Sequence, residues 1–97
     1  MYAILRQYRG SSGAQIFDAL VPRRGEVEEI IGTVPGFVAY YAVRGAEGGV
    51  TITICDDRAG TEESTRRAAA WVRENIPAAV GSPPEVTEGE VVIDFTR

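Results

Sequence analysis

The chain contains no histidine and no lysine, and it has a single cysteine. Absence of histidine removes the commonest general base, the Ser/His and Cys/His nucleophilic pairs, the usual proximal haem ligand and the commonest metal ligand together. Absence of lysine means that the glycine pattern GSSG at 10–13 is followed by no Gly-Lys-Ser/Thr and cannot be a phosphate loop. The lone Cys55 excludes an internal disulfide and fits a reducing compartment. No apolar run approaches the roughly 18 residues of a membrane span, so no membrane partner is expected. Positive charge is also scarce, with a net charge of −4 and a pI near 4.8. The cations are all arginine and are scattered. Their only doublets, at 23–24 and 66–67, lie near glutamates on predicted helices and read as salt-bridged solvated faces, not as a nucleic-acid surface. No haem, flavin or metal cofactor is therefore expected.

A hydrophobic fraction of 44% and a charged fraction of 25% are those of an ordinary globular protein. Ninety-seven residues suffice for one two-layer core and not for a second, so residues 1–97 are expected to form one domain of marginal stability. The opening MYAILRQYRG has no basic segment ahead of its apolar stretch. It reads as the first structural element of a cytoplasmic protein.

YAILRQYR at 2–9 has the β-branched and aromatic character of a strand, which GSSG ends. Ser12 is then placed to cap a helix. Ile16, Phe17, Leu20, Val21, Val27, Ile30 and Ile31 recur at helical spacing, with interruptions at Pro22 and Gly25. The pattern predicts a short helix near 14–20 and a main helix near 22–32, Pro22 sitting in the first turn of the latter. Gly32 and Pro35-Gly36 lead into a second strand at 37–44. The loop GAEGG leads to a third at 50–56, in which Val50, Ile52 and Ile54 alternate with Thr51, Thr53 and Cys55. Asp57 is a good N-cap for a second helical segment over 58–76, ended by Pro77, with Ala68, Trp71, Val72 and Ile76 on its apolar face. The stretch PAAVGSPPEVTEGE reads as a loop, and VVIDF at 91–95 as the fourth strand. The order β-α-β-β-α-β, with right-handed crossovers, puts the two helical segments on one face of a four-stranded antiparallel sheet.

The second strand is apolar on both sides. Phe37, Ala39, Tyr41 and Val43 point one way and Val38, Tyr40, Ala42 and Arg44 the other, so one set is left outside the core. A patch of that size calls for a cover, and a second copy of the chain packing its sheet face to face supplies one. A homodimer is expected.

The spacing of VPGFVAYYAV, the hairpin GGVTITICDD and the helix RAGTEESTRRAAAWVREN resembles the dimeric α+β barrel superfamily, particularly the small antibiotic biosynthesis monooxygenase-like proteins. The resemblance runs over nearly the whole chain and is carried by structural signatures. It implies a ferredoxin-like protomer of α+β class, a homodimeric barrel, and a pocket between sheet and helices that in some members takes polycyclic aromatic or haem-like ligands. The haem-degrading branch uses a histidine on its second helix and an asparagine on its first strand, and this chain has neither. The oxidative branch is implied to need no cofactor; it oxidises electron-rich phenols with O₂, using Asn, Trp, Tyr or Arg to hold the deprotonated substrate. The only asparagine here, Asn75, lies at the end of a helix.

Five residues are candidates for lining such a pocket. Trp71 is large, carries one N–H donor and lies on the helix face turned to the sheet, although core packing is the commoner role of a tryptophan there. Tyr8, Tyr40 and Tyr41 offer phenols on adjoining strands, where packing in the core or at a dimer interface would need the same residues. Arg6, on a strand predicted to be central, requires either a carboxylate partner such as Asp94 or an anionic ligand. Cys55 reads as an inert core thiol, and the acidic group Asp56, Asp57, Glu62 and Glu63 as caps and solvated charge. The sequence thus supports a binder of a small aromatic or apolar molecule. A cofactor-independent monooxygenase acting on a phenol and a structural dimer without ligand are the alternatives.

Overall fold

A computed structural model describes residues 1–97. Strand β1 (Tyr2–Arg9) passes directly into helix α1 (Gly10–Leu20). No linker is needed because Gly10 takes a φ of +69°, which residues with a side chain adopt only at a cost. Helix α1 therefore starts earlier than its spacing predicts, and Ser12 lies inside it instead of capping it. Pro22 sits in a 3₁₀ turn (Val21–Arg23) that divides α1 from α2 (Arg24–Ile31). Val21, expected in the buried stripe, is exposed on that turn. The hairpin β2 (Phe37–Gly45) and β3 (Gly48–Cys55) turns through Ala46 and Glu47. Helix α3 (Arg58–Asn75) follows, its first turn capped by Asp57, whose Oδ1 accepts from the Gly60 amide at 3.2 Å. A side chain at position 60 would meet Cys55 Cβ at 2.7 Å and Pro35 O at 2.8 Å, so glycine lets α3 seat against the end of β3.

The fourth strand, β4, is Glu85–Glu90 and not residues 91–95. EVTEGE lacks the apolar content of an internal strand, but an edge strand needs only backbone pairing on one side, and β4 pairs with β1 from Tyr2↔Glu90 to Gln7↔Glu85. The apolar segment after it runs past the sheet with Val92, Ile93 and Phe95 exposed, tied to the fold by the Val91 amide donating to Met1 O at 2.9 Å. Sheet order is β2-β3-β1-β4, all antiparallel, with the helices on one face. This is the ferredoxin-like α+β fold, its first crossover delivered as two helical pieces.

The register settles which side of each strand faces the helices. Ile4, Arg6 and Tyr8 lie opposite Thr53, Thr51 and Gly49, and Tyr40 lies opposite Thr53, all on the helix side. Leu5, Ile52 and Tyr41 form a continuous row on the other side, flanked by Ala3, Ile54 and Ala39 and by Val50 and Val43. The helix side of the sheet thus mixes Arg6, Thr51 and Thr53 with Ile4, Tyr8, Tyr40 and Cys55, while the central strands are apolar towards the outside. Phe17 and Ile16 of α1, Trp71 of α3 and Tyr8 form the packed core, with the Tyr8 and Phe17 rings edge to face at 6.3 Å.

Candidate ligand site

Arg6 projects from the central strand β1 into the layer between sheet and helices and is 2% exposed. Its Nη1 donates to Thr53 Oγ1 at 3.1 Å, and its Nη2 donates to Ser64 Oγ at 2.8 Å and Thr65 Oγ1 at 3.2 Å. The two helix hydroxyls are oriented for this task because each donates its own proton to Thr61 O, at 2.7 and 3.1 Å. Arg6 Nε is the one buried side-chain nitrogen or oxygen without a partner. The expected ion pair with Asp94 does not form. Asp94 belongs to the exposed segment beyond β4, and no carboxylate lies within salt-bridging distance of Arg6.

Beside Arg6 stands a small chamber with about 30 Å³ of free volume, lined by Tyr8, Thr51, Tyr40, Trp71 and aliphatic side chains of α1 and α2. About 10–15 Å³ on this measure admits one water, so the chamber holds two waters or one small polar group. Leu20, Val27, Ile31 and Tyr40 line both this chamber and a wider cleft of about 890 Å³ between α2 and β2. Chamber and cleft are therefore adjoining spaces, and the wider one falls in the range that small-molecule sites occupy.

Helix α2, the outer wall, is fastened at both ends by α3. Trp71 Nε1 donates to Glu26 Oε1 at 2.9 Å. Arg67 Nη1 donates to Ile30 O at 2.8 Å and to Thr33 Oγ1 at 3.0 Å, placing a cation at the negative end of the helix.

Burial raises the pKa of Tyr8, against the pull of Arg6. Burial also pushes Tyr40 up to about 12, with Tyr8 adding to the effect and Arg6 opposing it. The Cys55 thiol is raised by burial and then by Asp56 and Asp57. Desolvation lowers Arg6 itself, yet a guanidinium keeps its proton in proteins. Every neighbour that could offset Arg6 with negative charge thus stays protonated at neutral pH.

Of the five residues singled out in the sequence, Arg6, Tyr8, Tyr40 and Trp71 line the chamber. Tyr41 stands apart on the outer side of β2 and reaches only the rim of the cleft. The residues that hold Arg6 were not anticipated. Their signal was present in Thr61, Ser64, Thr65, Ala68, Trp71 and Val72, which continue one helical face at spacings of three and four, small and polar at one end and large and apolar at the other. Asp57, Glu62 and Glu63 do act as a cap and as partners of Arg58, Arg66 and Arg67. No group of three His, Cys, Asp or Glu side chains is placed to hold a metal ion, and no helix is long and apolar enough to cross a membrane.

No protein-family model matches the chain, and no curated protein matches it in sequence. Solved structures do match. A protein of unknown function from Nitrosomonas europaea, NE2512, superposes with a TM-score of 0.70 at 19% identity, over 99% of this chain and 92% of its own. The monooxygenase from the ActVA-Orf6 gene of Streptomyces coelicolor, solved with nanaomycin D, gives 0.62 at 15% identity, over 99% and 90%. The heme degrader MhuD of Mycobacterium tuberculosis, with two hemes in its active site, gives 0.55 at 20% identity, over 98% of each chain. The chain shares their ferredoxin-like fold. The resemblance to antibiotic biosynthesis monooxygenase-like proteins holds at the level of backbone architecture, over almost the full length. At these identities it carries no residue roles across.

Proposed function

We propose that this chain binds a small aromatic or apolar molecule in the cleft between α2 and the sheet, and that it does so as a homodimer. One observation carries the reading. A wide, largely apolar cleft adjoins a small chamber in which Arg6, Tyr8, Tyr40 and Thr51 converge, the combination of apolar walls and a few polar groups that orients a ligand. The ligands named for two proteins of the same fold, nanaomycin D and heme, are also large conjugated ring systems. Trp71, on the chamber wall, is the only tryptophan and serves as reporter. Titration with 2-methyl-1,4-naphthoquinone is expected to quench its emission to saturation at one ligand per chain. Linear, unsaturable quenching would contradict binding.

The dimer reading is supported by the outer side of the sheet, where Leu5, Tyr41 and Val43 are exposed and Val50, Ile52 and Ile54 half-buried in an isolated chain. The exposed Val92, Ile93 and Phe95 add to the apolar area that a partner would cover.

A second reading, oxidation of an electron-rich phenol without cofactor, is favoured by the oxygenase fold and by Arg6, which could stabilise a phenolate. Against it stands the lack of a proton acceptor beside Arg6, the carboxylates of Glu28 and Glu29 lining only the wider cleft. Burial pushes Tyr40 up to about 12 and raises Tyr8 and Cys55, and no carboxylate lines the chamber. Oxygen uptake above the buffer rate with a polyphenol would overturn the preference for a binder.

A further inference from the structure

Arg6 carries a full positive charge in a place with no negative one. Burying a cation is tolerated when it is paired, and the usual pair is a carboxylate. Here the hydroxyls of Thr53, Ser64 and Thr65 accept three hydrogen bonds from Nη1 and Nη2, which leaves the charge itself without a counter-charge. Nε–H has no acceptor, although the residue is 2% exposed. Burial raises the pKa values of Tyr8, Tyr40 and Cys55, the groups that act on Arg6 electrostatically, and so favours their neutral forms at pH 7.

We propose that the chamber beside Arg6 is an anion subsite, and that the ligand of the cleft is an aromatic carboxylate whose acid group enters the chamber and accepts from Arg6 while its ring lies against α2 and β2. This rests on the reading of the cleft as a ligand site. The sizes agree with such a division. About 30 Å³ accommodates a carboxylate and nothing much larger, whereas about 890 Å³ accommodates fused rings, and Tyr40, Val27, Leu20 and Ile31 border both spaces. The charge must arrive with the ligand. A simple phenol, with a pKa near 10, would need a base to ionise it, and the chamber contains none; a carboxylic acid is ionised already at neutral pH. Tyr8 and Tyr40, whose phenols burial keeps protonated and whose partner is the Thr51 hydroxyl, also line the chamber and offer O–H groups to the remaining lone pairs of a carboxylate.

The test compares two molecules of nearly equal shape, 1-naphthoate and 1-naphthamide, by calorimetric titration of the full chain and of Arg6→Leu at pH 7. A charge-assisted contact in a desolvated site is expected to make the carboxylate at least about tenfold tighter than the amide in the native chain. Arg6→Leu is expected to remove that preference, the carboxylate falling to the affinity of the amide or below it. Equal affinities in the native chain would overturn the anion subsite and leave the cleft standing as an apolar site, with water serving Nε–H. A preference that survives Arg6→Leu would overturn it as well, by showing that the acid group is recognised elsewhere. If neither molecule binds, both the subsite and the cleft reading fail. The native-chain comparison decides even if the variant does not fold.

Discussion

The indole N–H of Trp71 on α3 donates to the carboxylate of Glu26 on α2 at 2.9 Å, joining the only tryptophan to the helix that walls the cleft. The bond has a charged acceptor at an exposed residue, so its loss is expected to cost about 1 kcal/mol. Glu26→Ala should lower the urea midpoint accordingly at unchanged slope, and should redden the Trp71 emission as α2 loosens. An unchanged midpoint together with unchanged emission would mean that α2 is held by packing and Arg67 alone.

Replacement of Arg6 by leucine is expected to leave stability unchanged or to raise it by about 1–3 kcal/mol, because an uncompensated buried cation is exchanged for an apolar side chain. Ser64 and Thr65 keep Thr61 O as their acceptor, and only the buried Thr53 hydroxyl loses its side-chain partner, which offsets part of the gain. Thermal unfolding in the absence of ligand measures it. A large fall in Tm would show that the three hydroxyl contacts outweigh the desolvation of the guanidinium.

Alkaline pH should unfold the chain through Tyr8 and Tyr40. Burial raises both pKa values in the folded state, Tyr40 to about 12, against about 10 in an unfolded chain. The unfolded state therefore releases protons first. Stability is intact below about pH 10 and is lost as pH rises towards about 12. Tyr40→Phe should flatten this slope in denaturation measurements between those limits. A slope indifferent to the substitution would place Tyr40 in a wetter environment than the fold gives it.

How much of this was legible in the sequence follows from which interactions are local. The helix over 58–75 and the hairpin of β2 and β3 depend on a cap, a proline stop and alternation within one segment, and their positions are close to those expected. Strand β4 was missed because its pairing with β1 is set by a partner some eighty positions away, while VVIDF, the better strand former, finds no neighbour to pair with inside one chain. Arg6 was recognised as a buried cation from its place among Ile4 and Tyr8. Its partners were not, because threonine and serine on a helix face read as solvent-exposed unless the opposing strand is known to present threonine as well. Alternation showed Val50, Ile52 and Ile54 on one side of β3 without showing that this apolar side faces away from the helices. Only the register with β1 shows that.

That outward apolar side predicts self-association. Sedimentation equilibrium at micromolar concentration should give twice the chain mass, through an interface of at least about 1,000 Å² in total. Ile52→Glu, in the middle of the row formed with Leu5 and Tyr41, should shift the species to monomer without unfolding it. A native chain that sediments as a well-folded monomer would remove the dimer from the account.

The central claim, that the cleft between α2 and β2 and the chamber beside Arg6 form one ligand site, is tested most directly by chemical-shift mapping of the isotopically labelled chain with 2-naphthol. The largest perturbations are expected on the Trp71 indole N–H and the amides of Val27, Ile31 and Tyr40, all on the helix side of the sheet. Perturbations concentrated instead at Leu5, Val50 and Ile52 would place the ligand on the outer face and contradict it.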